Sequence, residues 1–357
     1  MVQLGIFDHI EGIPGTDMGR LLKQRLELIG IADEAGFYAY HLAEHHGTDL
    51  CMAPNQEIFL AAAAQQTSQI RLGPLIKILP LHHPLRVIED ICMLDQLSGG
   101  RVEYGVGRGI AAIEHFWFEG DWFASHERFD EALAIVLQGL RTGTVGGAAG
   151  PAGTHYDFPE ISFTMRPVQQ PNPPMWYPGN PVTAGRYGMG LVWPGPIPQD
   201  AYDLYVESWD KHKDDPVRAD GPESRPRVGA TMLIGIGDTT DEGKSIAARG
   251  VRGLMRRIVE VHTYDRLALD EHEAEAALNP LARGAQALMA PGGEDLLMPM
   301  LTEDSGTAEH VTERLQALLD DGLVDYLILQ LPTGDMTFEE SRDTLERFVV
   351  DVMPNLR

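Results

Sequence analysis

The sequence predicts a (β/α)8 barrel, the TIM-barrel class of α/β fold, elaborated by insertions. Short β-rich runs alternate with amphipathic stretches from one end of the chain to the other, and each of eight such runs is followed by a helix or a short helical turn. The main competitor, an open doubly wound sheet, carries a glycine-rich GxGxxG turn after its first strand; here that turn reads Asp8-His9-Ile10-Glu11-Gly12, which cradles nothing obvious. No linker and no repeat of fixed period divides the chain, so residues 1–357 read as a single barrel domain, a length such barrels reach once insertions are counted.

The elements follow in order. Val2–Asp8 alternates Val2, Leu4 and Ile6 and is the first strand. Met18–Ala35 places Leu21, Leu22, Leu26, Ile29 and Ala32 at helical spacing and stops at Gly36, a helix C-cap. Phe37–Leu42 is the second strand, Gln56–Thr67 a helix, and Ile70–Leu79 a long third strand. Pro84–Leu97 is a helix opened by proline in its first turn and closed by Ser98-Gly99-Gly100. Arg101–Val106 is strand four and Glu127–Arg141 its helix. At about 143–173, Gly143, Gly146, Gly147, Gly150 and Gly153 with several prolines mark an insertion, with a hairpin around His155–Phe158. Met175–Tyr177, Leu191–Trp193 and Val228–Ile236 are strands five to seven, and Val324–Leu331 is the eighth. Helices fall at 198–212, 240–257, 307–321 and 338–352, and a second insertion, rich in Ala, Met, Pro and Gly, lies at about 259–305.

Composition narrows the function. There are 53 acidic residues against 28 Lys and Arg, a formal charge of −25. Such a surface repels phosphate backbones, which argues against a nucleic-acid partner, and any anionic cofactor needs its own local cation. The longest apolar stretches, such as Leu72–Leu81, are interrupted by Lys77 and Pro80 and are too short to span a bilayer. The N-terminal Met-Val-Gln-Leu-Gly-Ile-Phe-Asp has no basic segment or cleavage site, and Cys51 and Cys92 fit buried reduced thiols, so a cytoplasmic location without membrane attachment is expected.

In a barrel, reactive groups collect where strands end at the C-terminal face. Those positions carry His41-Leu42-Ala43-Glu44-His45-His46 after strand two, His82-His83-Pro84 after strand three, Gly107-Arg108-Gly109 after strand four and Gly179-Asn180-Pro181-Val182-Thr183 after strand five. His45 carries the most weight, because an imidazole titrates near neutrality and moves one proton either way. Glu44 points away from it if the strand continues, so adjacency implies no Glu–His dyad. Arg108 lies between glycines that let backbone and ligand approach closely, and a guanidinium there suits a phosphate. The Gly179–Thr183 loop opens a short helix whose N–H groups can bind phosphate, a weaker signal. Two histidines and a carboxylate also suffice for zinc, so His41, Glu44, His45, His46, His82 and His83 leave open a metal-dependent barrel hydrolase.

Taken together these motifs resemble the bacterial-luciferase-like flavin-dependent monooxygenases. Glu44-His45-His46 is similar to the family's EHH, whose first histidine is the catalytic one. The stretch HHPLRVIEDICMLDQLSGGRVEYGVGRG (82–109) resembles its central signature, and LERFVVDVMPNL (345–356) its last helix. The likeness covers 1–142 closely, 175–257 loosely and 305–357 well. It implies reduced FMN as a diffusible cosubstrate delivered by a separate flavin reductase, with O2 and a small organic substrate; a homodimer is expected. Carried over by position, His45 handles the proton. Leu75, Ile76, Arg108, Gly109, Gly179, Asn180 and Thr183 bind the cofactor, with Leu75–Ile76 a cis peptide against the flavin ring and Arg108 on the phosphate. Glu44, His46, His83 and Gly107 line the substrate pocket, and no metal site is expected. The family's cysteine is Gly107 here, and its Glu-Ser after strand five is replaced by Gly179-Asn180-Pro181. Phe116, Trp117, Phe118, Trp122 and Phe123, in the variable segment 110–125, point to an apolar substrate. A deazaflavin-dependent dehydrogenase or reductase on the same barrel is the alternative within oxidoreductases.

Overall fold

The computed structural model describes residues 2–147, 155–221 and 224–357. Eight parallel strands form the barrel: β1 (Gln3–Asp8), β2 (Ala39–Leu42), β3 (Arg71–Pro74, resuming as Lys77–Ile78), β4 (Tyr104–Gly107), β5 (Met175–Pro178), β6 (Gly190–Pro194), β7 (Val228–Leu233) and β8 (Tyr326–Gln330). β1 pairs with β2 and β8, and the ladder runs β8–β7–β6–β5–β4. β3 closes the ring by changing partners along its length: its first half pairs with β2, its second half with β4, and Leu72 bridges to Val102. The third strand was expected to be continuous. It breaks at the Leu75–Ile76 peptide, which is cis as the family likeness implies. The buried Gln56 amide spans the break, donating to Leu42 O at 2.7 Å and Ile76 O at 3.0 Å.

The barrel interior is narrow and filled. Ala39, Leu75, Trp176, Val192, Tyr326 and Ile328 form its apolar cluster. Gly5 and Gly73 are required there: a Cβ on Gly5 would stand 1.9 Å from the Tyr326 hydroxyl, and one on Gly73 1.5 Å from Glu103 O. The N-terminal end of the barrel is closed by a polar plug. Buried Glu103 accepts from Trp176 Nε1 at 2.5 Å, from Arg71 Nε at 2.7 Å and from the Tyr38 hydroxyl. Arg227 lies over the Trp176 and Tyr38 rings.

Helices pack around the strands as their apolar faces require. α1 (Met18–Ala35) is capped by Asp17, which accepts from Arg20 N at 2.7 Å, and ends at Gly36 with φ +84°. α2 (Gln56–Gln66), α3 (Pro84–Ser98) and α5 (Ser125–Thr142) cover the next strands, and a short α4 (Ala112–Trp117) follows β4. α6 (Pro181–Arg186), α7 (Gln199–Lys211), α8 (Thr240–Tyr264), α12 (Ala308–Asp320) and α13 (Phe338–Arg347) complete the ring, and the last helix loosens into a π-turn at Phe348–Val352. No helix among the described residues is long and apolar enough to cross a membrane.

Both insertions are structured where described. In the first, Thr144–Val145 pairs antiparallel with Ile161–Ser162, so the strands of the expected hairpin flank His155–Phe158, while 148–154 lie outside the described residues. The second begins later than expected, because α8 runs on to Tyr264. After a turn at Asp265–Leu267 it forms α9 (Glu271–Ala277), α10 (Pro280–Met289) and α11 (Gly293–Leu301). These helices build cores of their own: Leu254, Ile258 and Val261 meet Ala282 and Ala285 beside Ile113, and Ala248 and Val251 meet Leu288 and Met298. No residue of 265–301 enters the main core. Buried Asp265 ties the insertion to α4, accepting from Ile113 N at 2.7 Å while its other oxygen holds His262 Nδ1 at 2.8 Å.

Candidate active site

The C-terminal ends of β1 to β5 bring the chemistry together. Past β2 the chain leaves the sheet, and alternation breaks: Glu44 and His45 face different partners. His45 Nδ1 lies 3.1 Å from Glu114 Oε1, and that oxygen also accepts the His46 backbone N–H at 2.9 Å. A carboxylate on Nδ1 fixes the neutral ring with its proton there and its lone pair on Nε2. No hydrogen bond among the described residues engages Nε2, so this atom is the one free to exchange a proton. Glu114 is fully buried and its second oxygen has no partner.

Glu44 faces β3 instead. It accepts from Ile78 N at 2.6 Å, and its other oxygen lies 3.0 Å from His46 Nε2 and 2.5 Å from His82 Nε2. Burial alone would push this carboxyl up, but the His82 charge, the two imidazole hydrogen bonds and Lys77 outweigh it and hold the group below the usual carboxylate range. Glu44 and His45 thus hold different partners, Glu44 the rings of His46 and His82 and His45 the Glu114 carboxylate.

The β1 loop, which the sequence left without a role, supplies the other side. Its backbone turns through φ +54° at buried Ile10, a conformation a β-branched residue rarely takes. Asp8 holds the turn, accepting Ile10 N at 2.7 Å and the Tyr40 hydroxyl at 2.8 Å and pairing with Arg25 at 3.0 Å. The turn lays the His9 ring parallel to that of His45, centroids 5.8 Å apart. Burial and the neighbouring His45 lower the His9 pKa to about 3, so this second imidazole stays neutral.

Two residues on, buried Glu11 accepts from Gly334 N at 2.8 Å, and its other oxygen is unpartnered. Burial first, then the Asp8 charge, push its pKa from 4.5 up to about 7. The raised value favours the protonated folded state, so the associated stability is complete below pH 4.5 and is lost as pH rises through 7. Glu11→Gln, which keeps the acceptor and removes the charge, should therefore raise the melting temperature at pH 8 and leave it unchanged near pH 4. Thermal unfolding of both proteins across that range checks this; parallel profiles would show that Glu11 is not the group responsible.

Arg108 stands at the end of β4, half-buried, its guanidinium 4.0 Å above the Trp122 ring with Nη1 3.2 Å from Ser125 Oγ. Burial lowers its pKa, and among the described residues no carboxylate forms an ion pair with it. His115 Nε2 bonds to its carbonyl at 3.0 Å, and its charge is felt by Tyr177 at the end of β5 and by His126. Gly109 takes φ +89°. At Gly107 a Cβ would fall 2.3 Å from Ile76 Cδ1, so a cysteine there cannot fit unless Ile76 moves.

Other expected site residues are placed differently. His83 is exposed and caps α3, its Nδ1 3.3 Å from Leu85 N and its ring against Tyr156 and Phe158; it does not join the other histidines. Asn180 accepts from Thr183 N at 3.0 Å, so the first turn of α6 is capped by its own loop. His41 is buried inside the barrel with Nε2 2.9 Å from the Tyr326 hydroxyl, and burial lowers its pKa to about 3. The set required by a hydrolase therefore does not converge as a whole; only Glu44, His46 and His82 do. Sequence reasoning missed Glu114 and His9. The signal for Glu114 was present: a lone carboxylate in the apolar run Ile110–Phe118 directly after β4.

A family model described as "Luciferase-like monooxygenase" matches residues 2–325, and the chain belongs to this family of oxidoreductases. The chain is 25% identical to the oxygenase component of the flavin-dependent trigonelline monooxygenase of Acinetobacter baylyi, over 99% of this chain and 95% of that one. Among solved structures, monooxygenase RslO1 of Streptomyces bottropensis superposes with a TM-score of 0.76 at 23% identity, covering 99% of this chain and 100% of the other. The coenzyme F420-dependent tetrahydromethanopterin reductase of Methanopyrus kandleri superposes at 0.70 and 19% identity, covering 100% and 99%. Both show the barrel that these proteins share.

Proposed function

We propose that this chain is the oxygenase of a two-component system that binds reduced FMN from a separate flavin reductase and uses O2 to oxidise a small apolar compound, working as a homodimer in the cytoplasm. The observation that carries the reading is Arg108: a half-buried guanidinium without a carboxylate partner among the described residues, in a protein of charge −25, is a cation kept for an anionic ligand. Ser125 braces the guanidinium by accepting from it, the Gly107–Gly109 backbone would border a phosphate beside it, and Leu75, Ile76 and Gly107 would border a flat ring. Bound reduced flavin supplies the electrons for oxygen activation. The chain's own residues do the rest. Glu114 holds the His45 proton on Nδ1, Nε2 takes or returns a proton at the reacting centre, and neutral His9 keeps a second charge away from that ring. Exposed Phe116, Trp117, Phe118 and Phe123 line the approach and favour an apolar substrate.

The reading is tested with FMN and the deazaflavin F420, each reduced and added to the protein anaerobically. Retention of reduced FMN, followed by oxygen uptake and incorporation of one oxygen atom from 18O2 into an aldehyde, ketone, terpene or sulfonate, is the expected result. Retention of F420 alone, with hydride transfer and no oxygen uptake, would establish the dehydrogenase or reductase alternative instead.

A further inference from the structure

We propose that Glu44, His46 and His82 form a binding site for a divalent late transition-metal ion, with zinc as the reference occupant. Their ligating atoms all lie within 4.8 Å of one another, the one such grouping of His, Cys, Asp and Glu among the described residues. Both imidazoles aim the same atom, Nε2, at the same carboxylate oxygen, at 3.0 and 2.5 Å. Zinc bonds to N and O of about 2.0–2.2 Å need tetrahedral donors roughly 3.3–3.6 Å apart, so the Glu44 oxygen has to draw back from each imidazole by no more than about an ångström. An incoming ion would displace the Nε2 protons that the two imidazoles now donate to Glu44, leaving each ring protonated on Nδ1, and two imidazoles with one carboxylate are a donor set that suits zinc and its neighbours among the late metals.

The surroundings favour an ion over a simple ion pair. The carboxylate is fixed before any ion arrives, because its second oxygen is held by Ile78 N at 2.6 Å. Its charge is fully buried, while the His46 and His82 side chains are 12% and 19% exposed, which leaves an entry path and an open coordination position on their side. The His46 ring is steadied by Phe118, with centroids 4.5 Å apart. Such support by a second layer of contacts orients ligands and raises affinity. The inference uses neither Arg108 nor His45 and stands independently of the flavin reading. An ion here would tie the His45-bearing loop to β3 from one residue away.

The test is titration of the purified full-length protein with Co2+, followed by its visible d–d absorption, and then displacement by Zn2+ measured by calorimetry. One equivalent is expected in the unaltered protein. Glu44→Gln, His46→Ala and His82→Ala should each weaken binding by at least ~10-fold. His45→Ala, and replacement of exposed His272, should leave it unchanged. Absence of bound ion in the unaltered protein, or affinity unaffected by His82→Ala and Glu44→Gln, overturns the proposal. Should those variants fail to fold, X-ray absorption at the zinc edge of the unaltered protein decides. Two imidazoles and one carboxylate around the ion support the site, and any other protein donor set overturns it.

Discussion

Replacing His45 by alanine lowers turnover by about 10²–10⁴-fold, the usual contribution of a positioned acid–base group, and leaves FMN affinity close to that of the unaltered protein. The two effects separate because the imidazole and the guanidinium belong to different strand ends: His45 follows β2 and is fixed by Glu114, while Arg108 follows β4 and rests on Trp122 and Ser125. Glu114→Gln should lower turnover less, since the amide keeps the shape but grips Nδ1–H without a charge. His46→Ala should also do less, because the His46 ring pairs with Glu44 and supports the loop. Steady-state turnover combined with stopped-flow measurement of flavin reoxidation reads each effect. Full activity in His45→Ala would remove the histidine from the mechanism.

Replacing Arg108 by alanine weakens reduced-FMN binding by about 1.5–3 kcal/mol, roughly tenfold or more, the worth of a charge-assisted phosphate contact. The guanidinium also covers Trp122, so part of any loss could come from packing. Riboflavin separates the two contributions. It presents the same ring without the phosphate, and its affinity should be nearly the same in both proteins. Arg108→Lys should recover part of the FMN affinity, because the charge returns without the planar fork. Equal FMN binding by all three proteins would move the phosphate elsewhere.

The barrel was legible because its strands and helices are local patterns. Alternation in Val2–Asp8, the 3.6-residue rhythm of α1 with its glycine stop, and proline and glycines bracketing α3 all lie within a few residues of one another. What was missed depends on contacts between distant residues. The break in β3 follows from its change of partner from β2 to β4. His45 and Glu114 are 69 positions apart, and His9 meets His45 only because Asp8 turns the chain through a left-handed Ile10. His83, Asn180 and Thr183 follow strands and each takes part in a helix start in this structure, a contact that a place after a strand does not reveal. The second insertion was bounded too early because α8 carries its apolar face past 257, where composition alone suggested the start of an insertion.

The helices at 265–301 owe nothing to the main core, resting on α8 and α4 through small clusters of their own. The side chains that keep the barrel folded are thus not those that hold these helices, and a change among the helices leaves the barrel core in place. A graft of this segment from a relative would exchange the surface beside α4 while the ends of β2 and β4, which carry His45 and Arg108, stay where the strands set them.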